Sequence, residues 1–263
     1  MTDLPRLVGM VHLLPLPGSP RFGGSMEKVL HRALADASAL KDAGFPAVMV
    51  ENFGDAPFYA DRVPPETVAA MTLAVGAVTE LGGLTFGVNV LRNDALAALG
   101  IAAATGAAFI RVNVLVGTMY TDQGPIVGRA AELTRARSQL APDIEIWADV
   151  AVKHATPPPG TDPRIVATDT VGRGMADALI VSGSGTGAEP DIHEATIIKA
   201  AIPAGTRLVV GSGADVTNLG KLLEVADAVI VGSSLKVDGE ASNPVDPERA
   251  RAFVAAAREH GLV

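Results

Sequence analysis

The sequence predicts a single (β/α)8 TIM barrel, and three observations carry that expectation. Eight short apolar runs recur along the chain, at 7–11, 47–50, 85–90, 109–115, 144–150, 178–182, 208–211 and 228–231. They are nearly continuous aliphatic and β-branched stretches, as parallel strands buried on both faces require. Segments with helical spacing separate them, and strict strand–helix alternation specifies a parallel sheet. The length of 263 residues is that of one such barrel. No linker-like change of composition divides the chain, so 1–263 is expected to form one domain. An open doubly wound sheet is the alternative, because counting strands does not establish closure.

The helices justify themselves in order. Met26, Val29, Leu30, Ala33, Ala37 and Leu40 keep helical spacing, and Gly44 suits the position just past the end. Asn93-Asp94 is read as the cap of the helix after the third strand, and Thr217 as the cap after the seventh. Asp162-Pro163 and Asp246-Pro247 each place an N-cap before a proline at the first helical position. In the last helix Ala250, Phe253, Val254 and Ala257 share one face. The uncharged run 95–110 is too short to span a bilayer comfortably and contains Gly100 and Gly106. It reads as a small-residue helix feeding a strand.

Composition excludes several classes. A net charge of −8 with no basic block argues against a nucleic-acid surface. The absence of cysteine removes disulfides, thiolate metal sites and a thiol nucleophile. The first residues lack the basic start and apolar core of a signal peptide, so a cytoplasmic protein without a transmembrane segment is expected.

Polar residues fall where a barrel puts its chemistry, at the C-terminal ends of the strands. The run from Arg207 to Ser234 contains two apolar strands that each end in a small-residue turn. Gly211, Ser212 and Gly213 form the first turn, and Gly232, Ser233 and Ser234 the second. Turns after the last two barrel strands commonly cup a phosphate with backbone N–H groups. The plain alternative is that each turn only terminates a buried strand. Glu51 and Asp149 directly follow apolar residues and are read as acids or bases at the rim. Lys153 and His154 supply a proton carrier or a Schiff-base amine, unless both are merely solvated loop residues. His12, Asn89, Arg111, Asn113 and Ser182 are read as substrate-binding. Arg111 and Asn113 lie on one side of a strand, and the alternative for them is an internal partner such as Glu51 or Asp149. The turn 182–187 extends the anion site or simply leaves room for substrate. Glu51, Asp149 and His154 are also weak candidates for a divalent metal, without a metal-motif spacing. The aromatic loop of Phe53, Phe58 and Tyr59 is read as a lid or an oligomer contact, and a homo-oligomer is expected.

With these residues in place, the chain resembles the BtpA family, which takes its name from a photosystem I biogenesis protein. The matching pieces are Gly9-Met-Val-His12-Leu-Leu-Pro-Leu-Pro-Gly18-Ser-Pro20, Val50-Glu-Asn-Phe-Gly-Asp55-Ala-Pro-Phe58 and Gly87-Val-Asn-Val-Leu-Arg-Asn-Asp94. Phe109-Ile-Arg-Val-Asn113 and Ala148-Asp-Val-Ala-Val-Lys-His-Ala155 complete the set, which spans most of the chain. The resemblance implies one barrel similar to the ribulose-phosphate-binding class, and assigns no catalytic role to individual positions. Three functions stay open: an enzyme acting on a small phosphorylated metabolite, an oxidoreductase holding a flavin phosphate in the same cup, and a non-enzymatic assembly factor for a membrane complex.

Overall fold

The computed structural model describes residues 5–183, 185 and 191–263. Its strands are β1 (Leu7–His12), β2 (Ala47–Glu51), β3 (Thr85–Asn89), β4 (Phe109–Val112), β5 (Thr118–Thr121), β6 (Gly124–Val127), β7 (Glu145–Ala151), β8 (Ala155–Thr156), β9 (Ala178–Val181), β10 (Arg207–Val210) and β11 (Ala228–Val231). Between them run α1 (Met26–Ala43), α2 (Pro65–Thr79), α3 (Ala95–Thr105), α4 (Ala130–Leu140), α5 (Pro163–Gly172), α6 (Ile192–Ala201), α7 (Leu219–Leu222) and α8 (Pro247–Glu259). Eight strands close into a barrel in the order β1-β2-β3-β4-β7-β9-β10-β11, and β11 pairs back onto β1. Every pairing in this ring is parallel. Closure settles the choice against an open sheet: this is a TIM barrel.

Side chains alternate in and out along each strand, so every second residue faces the barrel axis. Met10, Met49, Phe109, Trp147, Ile180, Val209 and Ile230 fill the middle of the interior. The Phe109 and Trp147 rings stack at 4.2 Å. Gly87 makes room for them, since a Cβ there would come within 2.3 Å of the Phe109 ring. The outward residues form a larger core against the helices, including the Phe253 and Val254 face of α8.

Helix ends follow the sequence closely. Ser25, Asp94, Asp162 and Asp246 cap α1, α3, α5 and α8 through their side chains, and Gly44 takes the left-handed conformation after α1. Thr217 is a correction. The N-cap of α7 is Asn218, and the Asp215 carboxylate accepts from the N–H groups of Thr217 and Asn218. The Thr217 hydroxyl itself donates to Asp215 Oδ1 at 2.6 Å, which turns it away from the helix end.

Two features lay outside the sequence reading. The run 109–115 leaves the barrel after Val112, and β5, β6 and β8 then pair into a small antiparallel sheet, ordered β6-β5-β8. Buried Asp36 on α1 also pairs with fully buried Lys236, at 3.0 Å. Asp36 accepts from the Val245 N–H at 2.8 Å as well, so one carboxylate holds both ends of the segment 236–245.

Candidate active site

One step beyond the middle of the barrel, at the C-terminal end, each strand presents its next inward residue. The result is a ring of His12, Glu51, Asn89, Arg111, Asp149, Ser182, Gly211 and Gly232, with Asn113 above Arg111. The side-chain members are buried, from 1% exposed at Glu51 to 7% at Ser182. Period-two spacing from an apolar middle layer thus brings together candidates drawn from all eight barrel strands.

Part of the ring is satisfied internally. Arg111 donates to both oxygens of Asp149, at 2.9 and 2.7 Å, and Asn113 donates to Asp149 Oδ2 at 3.0 Å. Burial opposes the Arg111 charge, but Asp149 outweighs it and raises the guanidinium pKa. The internal-partner alternative for Arg111 and Asn113 therefore holds for their donors. With both oxygens engaged, Asp149 is not an open acid or base.

The rest of the ring is unsatisfied. Glu51 Oε2 accepts from Asn89 at 2.6 Å, while Glu51 Oε1 has no hydrogen-bond partner. Asn89 Oδ1, Asn113 Oδ1 and Ser212 Oγ are likewise buried without one. His12 Nδ1 lies 2.8 Å from the Ala241 carbonyl, which only accepts, so Nδ1 carries the hydrogen and Nε2 presents a lone pair. That lone pair faces Glu51 Oε1 at 3.8 Å, acceptor against acceptor. Burial, with Lys236 assisting, lowers the His12 pKa to about 4, so the ring is neutral near pH 7. Burial raises the Glu51 pKa, yet Lys153, His12, Arg111 and the Asn89 amide together hold it below the usual carboxylate range. Glu51 is thus held ionised. Lys153 is pushed down, first by burial, while Glu51 pulls it the other way. His154 is exposed, has a positive φ of 54°, and is lowered by burial and by the Lys153 charge.

Above Glu51 opens a cavity of about 410 Å³, bounded by His12, Glu51, Phe53, Phe58, Arg92 and Lys153 among others. Phe53 stacks on His12 at 4.4 Å, and Phe58 of the same loop also borders the cavity, whereas Tyr59 is exposed. Arg92 belongs to the cavity and was not among the expected site residues. Its sequence signal was weak, because it lies three residues past the strand. No hydropathy pattern marked the Ala241 carbonyl that orients His12.

The two glycine–serine turns follow β10 and β11, and the second lies beside His12. Gly213 has a φ of 77°, which glycine tolerates best. The backbone N–H groups of Ser212, Gly213, Ser233 and Ser234 have no acceptor among the described residues. Gly211 has a steric reason within the protein itself. A Cβ there would meet Ile180 at 2.4 Å, Ser182 at 2.8 Å and Arg111 at 3.1 Å, so the protein's own side chains demand the glycine. The Ser234 hydroxyl donates to the Ala214 carbonyl and ties the two turns together, which leaves the Ser234 N–H group to the turn. Ser184, Thr186 and Gly187 of the turn 182–187 lie outside the described residues. Among the described residues no three carboxylates or imidazoles gather as a metal-ligand set, so Glu51, Asp149 and His154 do not converge as one.

A closed parallel barrel with a buried polar ring at its C-terminal mouth places the chain among the TIM barrels. The chain belongs to the BtpA family, whose sequence model matches residues 5–259. It is 48% identical over 253 residues to the photosystem I biogenesis protein BtpA of Synechocystis, covering 96% of this chain and 88% of that one. Among solved structures it is similar to one described as native KDPGal, with a TM-score of 0.63 and 17% identity, covering 100% and 98% of the two chains. Phosphoribosyl anthranilate isomerase from Thermus thermophilus follows with a TM-score of 0.58, 15% identity and 97% and 99% coverage. At these identities the structural likeness establishes the fold. Among the described residues no helix is long and apolar enough to cross a membrane.

Proposed function

We propose that this protein is a cytoplasmic enzyme, one domain long and homo-oligomeric, acting on a small phosphorylated metabolite such as a sugar or ribose phosphate. The observation that carries the reading is the set of unpartnered buried atoms around one mouth: Glu51 Oε1, Asn89 Oδ1, Asn113 Oδ1 and Ser212 Oγ. Each leaves a desolvation cost of about 1–3 kcal/mol uncompensated, which a fold retains where a ligand will supply the partner. Three of them accept, so they suit the hydroxyls of a polyol. The N–H groups of the turns at 212–213 and 233–234 donate, so they suit its phosphate.

In this reading Glu51 takes a proton from carbon or hydroxyl, and neutral His12, held by Ala241, accepts or relays it through Nε2. Lys153 neutralises the oxyanion that forms, or returns the proton. Isomerisation, epimerisation and retro-aldol cleavage share this proton inventory. Asn89 and Asn113 orient the substrate, while Arg111 and Asp149 hold the floor beneath it. A thermal-shift screen against sugar phosphates, nucleotides and inorganic phosphate tests the proposal. A sugar phosphate should raise the melting temperature, and the rise should vanish in Gly213→Val. No shift with any phosphorylated compound would overturn it.

The name of the Synechocystis relative favours a second reading, an assembly factor for a membrane complex. A scaffold has no use for an open acid–base ring. Ala substitution of Glu51 and His12 with an unchanged cellular phenotype would favour that reading.

A further inference from the structure

Arg92 is only 4% exposed, yet it forms no ion pair with any described residue. Its one side-chain hydrogen bond runs 2.5 Å to the main-chain carbonyl of Lys153, which leaves most of its five N–H donors unused. The Lys153 ammonium likewise has no hydrogen bond or ion pair among the described residues, although the residue is half-buried. Both cations line the 410 Å³ cavity, with Arg21 also on its wall. Arg92 and Arg111 each depress the Lys153 pKa, so the two neighbours repel rather than stabilise one another.

The contrast within the molecule is sharp. Buried Arg111 has Asp149 and buried Lys236 has Asp36, each at hydrogen-bond distance. Against Arg92 and Lys153 stand Asp149 and Glu51, with Asp122 on Arg92 as well, all at longer range and none in an ion pair with either cation. Burying a cation without a carboxylate in contact costs stability. An anion entering the cavity would supply the missing charge, and guanidinium beside ammonium is well suited to phosphate or carboxylate oxygens. Position adds to this. In the closed ring β3, which carries Arg92 just past its end, lies four strands from β10, directly across the mouth from the turn 211–213.

We propose that Arg92 and Lys153 form a second anion subsite facing the glycine–serine turns, so that the substrate carries two anionic groups, a bisphosphate or a phosphate with a carboxylate. The two-headed substrate rests on the phosphate reading of those turns, whereas the Arg92–Lys153 subsite does not.

Calorimetric titration with inorganic phosphate separates the two. The intact protein should take two equivalents, Arg92→Gln and Lys153→Met should each lose one, and Gly213→Val should lose the other. One equivalent, lost in Gly213→Val and untouched in both mouth variants, overturns the subsite and leaves the reading of the turns intact. One equivalent lost in Arg92→Gln but kept in Gly213→Val retains the subsite and overturns the reading of the turns. No binding at all overturns both. Fructose 1,6-bisphosphate and 6-phosphogluconate then act as two-headed probes against fructose 6-phosphate. At least one should bind about tenfold more tightly in the intact protein, with that advantage lost in both mouth variants. The ligand-free melting temperature guards against a structural role. Arg92→Gln should melt no lower than the intact protein, and a large drop with phosphate binding unchanged would overturn the proposal. If Arg92→Gln does not fold, Lys153→Met decides.

Discussion

The two ends of the barrel interior carry the same kinds of polar residue, half-buried at one end and buried at the other, and treat them differently. At the N-terminal end Glu145 accepts from Trp147 Nε1 at 2.8 Å and pairs with Arg207, whose guanidinium lies 5.4 Å from the centre of the Trp147 ring. Carboxylate, indole and guanidinium all find partners there, and the group closes the floor. At the C-terminal end a carboxylate, two amides and a hydroxyl each keep an atom without a partner. Polar residues inside a barrel thus serve as a plug where their bonds close internally, and as a site where they do not. The same distinction runs through the mouth itself, where Arg111–Asp149 is closed and Glu51–His12 is open.

The largest effect should come from breaking a closed pair within the open end. Arg111→Met leaves Asp149 with a buried charge held only by Asn113, and should cost about 3–5 kcal/mol in denaturant unfolding. A loss below about 1 kcal/mol would show that Arg111 is poised for substrate and that the division inside the mouth is wrong.

Acid offers the next test. The His12 pKa falls from the ordinary 6.5 to about 4 on folding, so the unfolded chain binds more protons between those values. Stability from this group is fully present above pH 6.5 and drains away as pH falls toward 4, by about 3 kcal/mol in all. The lowered Glu51 pKa acts in the same direction. His12→Gln should flatten the pH 4–6.5 limb of a melting-temperature profile. An unchanged slope would mean that His12 is not held neutral.

Much of this was legible in the sequence, for definable reasons. Apolar runs of four to seven residues marked the barrel strands, and polar residues in or directly after the C-terminal ends of those runs marked Glu51, Asn89, Arg111 and Asp149. The Asp36–Lys236 pair was hidden by 200 residues of separation, although Asp36 does lie on the apolar stripe of Val29, Ala33, Ala37 and Leu40. The sheet of β5, β6 and β8 was hidden because its two- and four-residue strands are too short to show a period. Arg92 gave little sign because the chain turns between Asn89 and the cavity. Whether a polar residue in the ring is closed or open depends on partners from other strands, which no local pattern records.

Two isosteric changes put the comparison of the ends on one scale. Glu145→Gln keeps a single acceptor for Trp147 and Arg207 but removes the charge, and should cost about 1–3 kcal/mol. Glu51→Gln should cost less, about 1 kcal/mol or below, because the lost attraction to Lys153 is partly offset by removing a carboxylate that faces the His12 lone pair. Its carbonyl can still accept from Asn89, and its new N–H group can face the His12 Nε2 lone pair that now meets another acceptor. That variant should nevertheless lose turnover on the cognate phosphorylated substrate by about 10²–10⁴-fold, because the amide cannot take a proton. Equal losses of stability at the two positions would mean that the mouth is as much a structural plug as the floor. A stable Glu51→Gln protein with impaired turnover would separate the end that holds the barrel together from the end that acts.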